Sequence, residues 1–247
     1  ILTEADAIDA RHGTTFAERC RERVEVSYPA IDVSAFLEID PAETRTALEN
    51  RGLVPDGYVL YLSRLAHAKG VDDLIVGYAA SDARFHVPLV VAGRGPDAER
   101  LRGLAAASGA GDRIMFLDDV GDEEKLHLMA GCTAYVLPSK PRPEFVETFG
   151  IALVEEMLAG GGPVITTDTG GIGEAVGDCA IIVPVDAPEA IAVALDRVVL
   201  AMTAHERGQW GDRARAHALQ FDRGAVLDAI LAQVDAVQSP WERARVG

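Results

Sequence analysis

The chain has 247 residues, 49% of them hydrophobic and 25% charged, with a formal net charge of −16. A chain of this size buries a substantial core without cross-links, and so acidic a balance excludes nucleic acid, whose phosphates need a basic face. No run of about 18 apolar residues marks a membrane span, and Cys20, Cys132 and Cys179, outside any CxxC pair, read as reduced thiols of a cytoplasmic protein.

The opening residues, ILTEADAIDARHG, lack the basic-then-apolar order of a signal peptide, and they lack an initiator methionine, as a piece of a longer protein would. RVEVSYPA (23–30) predicts one strand and PAETRTALENRG (41–52) one helix. From residue 57 the pattern changes. YVLYLS (58–63), VPLVVAG (87–93), RIMFLD (113–118), TAYVLPS (133–139), PVITT (163–167) and AIIVP (180–184) are short apolar runs bounded by Gly, Pro or Asp, which predicts buried strands. Helical patterns fall between them, near 69–81, 96–108, 122–131, 150–160 and 171–177. Such alternation predicts an α/β fold, a doubly wound Rossmann-like parallel sheet of about six strands with ligands at the carboxyl ends. Two further surface helices are expected over 187–201 and 206–219, and a last helix over 221–238, with apolar residues at 226, 227, 230, 231 and 234. The final SPWERARVG reads as a tail or a packing element.

The stretch ETFGIALVEEMLAGGGPVITTDTGGIGEAV (147–176) concentrates the chemistry. It follows the strand that ends near Ser139, and its helix is expected to start near Phe149–Gly150, with Thr148 as a cap. Free amides at a helix start attract phosphate, and Gly150 lets a ligand approach the backbone. Glu147 stands before the helix and Glu155 inside it, and carboxylates accept paired hydrogen bonds from neighbouring hydroxyls. Phosphate flanked by hydroxyl-rich groups describes a nucleotide sugar. Taken alone, the two glutamates read more simply as a helix-start charge and a solvated helix face.

The wider pattern resembles the retaining glycosyltransferases of the GT-B fold, family four. Glu147-Thr-Phe-Gly with Glu155, PVITTD, GGIGE (170–174), SRLAHAKG (63–70), VVAGRGPDAERL (90–101), FLDDVGDEEKLHLMAGCTAYVLPS (116–139) and YPAID (28–32) carry the likeness in order. The last is similar to the strand that leads into the family's donor domain. The resemblance implies that Arg64 and Lys69 hold the donor diphosphate and that Glu147 holds the donor sugar, the three catalytic positions. It assigns Glu155 to the ribose and Phe149, Gly150 and Ile151 to sugar and phosphate contacts. Val120, or its neighbours Leu117 and Asp119, would read the base, with Gly93 and Gly95 leaving room. Asp168 and Glu174 are expected to cap a helix.

The resemblance further implies sugar transfer, hexosyl or N-acetylhexosaminyl, from a nucleoside diphosphate sugar, UDP-sugar favoured, to a hydroxyl with retention and without a bound metal. It makes this chain the C-terminal half of a GT-B fold: 1–27 the end of a missing N-terminal acceptor-binding domain or the crossover from it, 28–220 the nucleotide-sugar-binding domain, 221–247 the terminal helix and tail. Such a half is expected to be inactive alone. LAGGGPV holds one residue more than the usual family spacing, and LAGGGPVITT resembles transferases of aminoglycoside biosynthesis, which add N-acetylglucosamine to a cyclitol. Half of a sugar-nucleotide epimerase and a non-catalytic sugar-nucleotide binding module are the alternatives.

Overall fold

A computed structural model describes residues 2–24, 26–143 and 145–243. Residues 29–225 form one compact unit, and residues 1–28 with 226–247 form a second.

Within the larger unit six strands form one parallel sheet: β1 (Val59–Leu62), β2 (Leu89–Ala92), β3 (Ile114–Leu117), β4 (Ala134–Leu137), β5 (Val164–Thr167) and β6 (Ala180–Val183). Their spatial order is β3-β2-β1-β4-β5-β6. β1, β2, β4 and β5 are almost wholly buried, as continuous apolar runs in a sheet covered on both faces must be. The α/β expectation is met, strand by strand.

The helices are α1 (Leu2–His12), α2 (Phe16–Arg21), α3 (Ser34–Leu37), α4 (Pro41–Glu49), α5 (Val71–Ala80), α6 (Ala98–Ala107), α7 (Asp122–Ala130), α8 (Ile151–Ala159), α9 (Ile172–Val176), α10 (Pro188–Asp196), α11 (Ala204–Ala218) and α12 (Arg223–Arg243). α5 packs on α6 and α10, while α7 packs on α4 and α8, and α8 on α9 and α11, which gives the sheet a layer on each face. No helix among the described residues is long and apolar enough to cross a membrane.

Strand order reverses between β1 and β4, the switch point where open α/β sheets bind ligands. The β1–β4 ladder runs only through Val59↔Ala134 and Leu60↔Tyr135, whereas β1 and β2 stay paired over four residues. The carboxyl ends of β1 and β4 are therefore free of the ladder, and the crevice opens there.

Several expectations need correction. RVEVSYPA forms no strand among its described residues, and YPAID contributes only a single bridge from Ile31 to Asp222. The Ile31 amide donates to the Phe221 carbonyl at 2.9 Å, so this extended segment pairs with the chain after α11 and not with the sheet. α1, α2 and α3 went unpredicted because they are short or weakly amphipathic. The surface helix expected over 187–201 is α10 followed by a π-helical turn, Arg197–Ala201. The last four residues of SPWERARVG lie outside the described residues.

The glycine run has a packing role. Gly160 ends α8 in the left-handed region at φ +71°, where the Arg215 guanidinium donates to the Leu158 and Ala159 carbonyls at 2.7 Å. A Cβ at Gly161 would overlap the Met129 carbonyl oxygen, and one at Gly162 the Thr133 carbonyl oxygen. These residues stand before β5, at the amino edge of the sheet. Gly161 and Gly162 thus serve backbone packing at the end of the sheet away from the crevice. Beside it Glu156 is buried, with the Cys132 thiol 3.9 Å away, and burial pushes its carboxyl well above the usual range.

Candidate active site

The loop after β1, the segment after β4 and one helix start meet at the crevice, and the loop after β2 packs against the first of them. The first loop leaves β1 through Ser63, Arg64 and Leu65. Tyr61, kept protonated by burial, donates to the Arg64 carbonyl at 2.8 Å, which fixes the backbone from which the exposed Arg64 side chain leaves. The Arg64 guanidinium carries no ion pair among the described residues. A 3-10 turn, His67–Lys69, follows, so Lys69 precedes α5 and does not open it as the sequence suggested. Gly70, at φ +70°, caps α5, and its missing Cβ admits the Pro138 carbonyl at the end of β4.

The second loop leaves β2. Side chains at Gly93 and Gly95 would overlap the Ser63 and Leu65 carbonyl oxygens. The Leu65 amide donates to the Arg94 carbonyl at 2.9 Å and the Asp97 amide to the Leu65 carbonyl at 3.2 Å. The space these glycines create is therefore filled by the loop bearing Arg64, and they aim that cation; the open room expected beside a base is absent at this point. The third segment, after β3, carries Leu117, buried, Asp119, engaged by Arg51 at 3.0 Å, and Val120, half-buried.

The segment after β4 supplies the rest. Lys140 is almost fully buried, and its ammonium meets Asp72 at 3.1 Å, Asp73 at 2.8 Å and Asp186 at 3.1 Å. Burial alone would lower its pKa; the carboxylates outweigh that and raise it, so the charge is kept. Its amide donates to the Ala68 carbonyl at 2.8 Å, tying this segment to the turn that holds Lys69. Glu147 is buried and ion-paired with Lys69, whose ammonium also lies 5.1 Å from the centre of the Phe145 ring. The glycine pair after β5 presses on this segment from the other side: the Gly171 amide donates to the Glu147 carbonyl at 3.0 Å, and side chains at Gly170 and Gly171 would overlap the carbonyls of Glu147 and Thr148.

α8 begins after Gly150, whose φ of +91° no β-carbon residue adopts cheaply. Thr148 does not cap it, contrary to expectation, and neither Asp168 nor Glu174 caps α9, whose N-cap is Gly171 without a side-chain bond. The first helical hydrogen bonds are donated by Leu153 and Val154 to the Gly150 carbonyl, so the amides of Ile151 and Ala152 have no acceptor among the described residues. They point an uncompensated positive helix end into the crevice.

Lys69, Glu147, Phe149, Gly150 and Ile151 line one cavity of about 220 Å³, together with Pro29, Ser63, Leu137, Thr148 and Ala152. Arg64, Gly93, Gly95, Val120 and Glu155 are outside its walls. Glu155 lies one turn further into α8, where the Lys125 ammonium donates to its Oε1 at 2.7 Å. A larger cavity of about 600 Å³ lies between α4 and α7, but Glu43, Glu123 and Glu124 line it, a poor setting for an anion. Sequence reading missed Lys125 and Phe145. The signal for Lys125 was there to be read: the chain has only three lysines, and all three are held by carboxylates around this crevice.

The sequence profile of the family described as glycosyl transferases group 1 matches residues 48–217. The D-inositol 3-phosphate glycosyltransferase of Acidothermus cellulolyticus is 30% identical over 224 residues, covering 85% of this chain and 47% of that protein. A GDP-mannose-dependent alpha-(1-6)-phosphatidylinositol monomannoside mannosyltransferase of Mycobacterium tuberculosis is 31% identical over 150 residues, 60% of this chain and 39% of its own. Among solved structures, Anabaena HepE in complex with UDP superimposes with a TM-score of 0.76 at 22% identity, over 90% of this chain and 61% of that one. The chain spans about half the length of the curated relatives it matches.

Proposed function

Because the chain belongs to the glycosyl transferases group 1 family, we propose that it is the donor-binding domain of a retaining glycosyltransferase, the C-terminal half of a GT-B enzyme. One observation carries the reading: a lysine paired with a buried glutamate and an uncapped helix start share a cavity where the ladder between β1 and β4 ends, and the loop that lines it at Ser63 continues into Arg64, exposed and without an ion pair among the described residues. The donor diphosphate lies against Arg64, Lys69 and the amides of α8. Phe149, Gly150 and Ile151 line the path of sugar and phosphate, Glu147 accepts hydroxyls of the transferred sugar, and Glu155 accepts those of the ribose. The base stacks near Val120.

The chemistry follows from fixed charge. Cleavage of the sugar–phosphate bond leaves negative charge on the diphosphate, and the two cations and the helix start already face it. The backbone that carries them is seated by close packing at Gly70, Gly93 and Gly95. Glu147 holds the sugar over the leaving group, and a hydroxyl delivered from an acceptor-binding domain takes it with retention, its proton passing to the departing diphosphate oxygen.

UDP is the favoured carrier, supported by HepE in complex with UDP-glucose. A cyclitol hydroxyl is the acceptor we assign, with an N-acetylhexosamine or hexose as the sugar moved. The LAGGGPVITT run and the name of the D-inositol 3-phosphate relative support that assignment, since inositol is a cyclitol. The three free cysteines fit a cytoplasmic location. Residues 28–220 would be the donor domain proper, with 1–27 belonging to the crossover and 221–247 to the terminal helix. Transfer assays with the 247-residue chain alone, UDP-sugar and cyclitol acceptors are expected to yield no product. Sustained product formation would show that no acceptor domain is missing and would refute the half-enzyme reading.

A further inference from the structure

We propose that Lys125 is a positioning residue for the ribose end of the donor, holding Glu155 in the orientation that accepts two neighbouring hydroxyls; this rests on the donor-binding reading above. Lys125 stands in the first turn of α7 among Asp122, Glu123 and Glu124, yet it pairs with none of them. Arg51 takes Glu124 at 2.6 and 2.9 Å, and Lys125 instead reaches across to α8 and donates to Glu155 Oε1 at 2.7 Å. Both side chains are about three-quarters buried, with 23% and 21% of their surface exposed. A surface ion pair of convenience would be far more open.

A carboxylate offers about four lone-pair sites. The ammonium takes one of them on Oε1, and Oε2 has no donor among the described residues. A vicinal diol can therefore donate to Oε2 and to the remaining site on Oε1 without displacing the lysine. The ammonium also does what no neutral donor could: it offsets the charge of Glu155, which would otherwise repel a diphosphate bound at the adjoining helix start. Orientation and neutralisation together make the pair a reader of ribose.

The test is the ratio of affinities for a ribonucleotide and its 2′-deoxy form. The 247-residue chain is titrated calorimetrically with whichever of UDP, GDP and ADP it binds and with the matching 2′-deoxynucleoside diphosphate. The unsubstituted chain should prefer the ribonucleotide by about tenfold, the worth of one charge-assisted hydrogen bond. Lys125→Met should bring that preference to within about twofold, whereas Lys125→Arg, which keeps the charge and a donor, should retain most of it. Unchanged melting temperatures establish that both variants fold, and Lys125→Gln replaces Lys125→Met if the latter does not. An equal loss of affinity for both nucleotides would mark Lys125 as a general cation and overturn the inference alone. Failure of the unsubstituted chain to bind any of the three diphosphates would defeat the donor-binding reading itself.

Discussion

Replacing Lys69 with alanine is expected to weaken nucleoside diphosphate binding about 100-fold and to cost about 2 kcal/mol of stability. Both effects come from one ion pair. Lys69 and Glu147 expose only 15% and 11% of their side chains, so removing the ammonium leaves a carboxylate largely out of water without its partner. Phe145 loses the cation over its ring at the same time. The two effects separate in the double variant Lys69→Ala/Glu147→Ala. With both charges gone, stability measured by urea denaturation should return most of the way to the original, while affinity stays low. Recovery of binding in the double variant would mean that the pair only blocks the site, and that Lys69 does not hold the diphosphate.

Gly93→Ala should destabilise the chain by about 3 kcal/mol or more. Its φ of +138° is open to glycine and strained for alanine, and the added methyl would overlap the Ser63 carbonyl. Relief requires the loop through Arg64 to move, because the Ser63 amide donates to Ala92 at 3.2 Å and the Leu65 amide to Arg94 at 2.9 Å. Any folded remainder should therefore also bind nucleotide poorly. Gly103→Ala is the control. It sits in the middle of α6, where an added methyl would meet no atom within 4 Å, and the change should stabilise the chain by about 0.5–1 kcal/mol. Equal thermal melts for the two alanine variants would contradict the packing role assigned to Gly93.

The six strands were legible because each is a short apolar run between breakers, and in β1, β2, β4 and β5 burial on both faces leaves no alternation to confuse them. The helices between them followed from the same punctuation. What escaped was held by contacts remote in sequence. YPAID looks like a strand, but Ile31 finds its partner at Asp222, nearly two hundred residues away. Thr148 has the chemistry of a cap, yet the turn demanded by Gly150 places the helix start beyond its reach. The glycines at 161 and 162 look like part of the site because they follow Glu155, and α8 carries them to the opposite end of the sheet. Among the site residues, Lys69, Glu147, Phe149, Gly150 and Ile151 were placed by a motif and do share a cavity. Lys125 lies within the 116–139 segment that carries the family likeness, but no role was attached to it. Only its rarity, and a pairing that spans thirty residues, distinguish it.

Gly93 and Gly95 show how a residue's reason can lie in the backbone and not in a ligand. The family resemblance implied that they leave room for a base. The space is occupied by the protein's own carbonyls, so the requirement for glycine comes from seating the loop that bears Arg64. The same arrangement recurs at Gly70 and Gly170, where the absent side chain admits Pro138 and Glu147 carbonyls. Backbone contact between loops, more than side-chain packing, brings the cations and the helix start to one crevice in a chain of net charge −16.

The most direct measurement is calorimetric titration of the chain with UDP, GDP and ADP, repeated on Arg64→Ala. Arg64 is exposed and without an ion pair among the described residues, so its loss should leave the fold intact and remove only its charge from the crevice. The expected result is binding with a clear preference for one base, UDP foremost, weakened at least about tenfold in the variant. No binding to any of the three, or binding indifferent to Arg64, would contradict a donor site at the β1–β4 switch point.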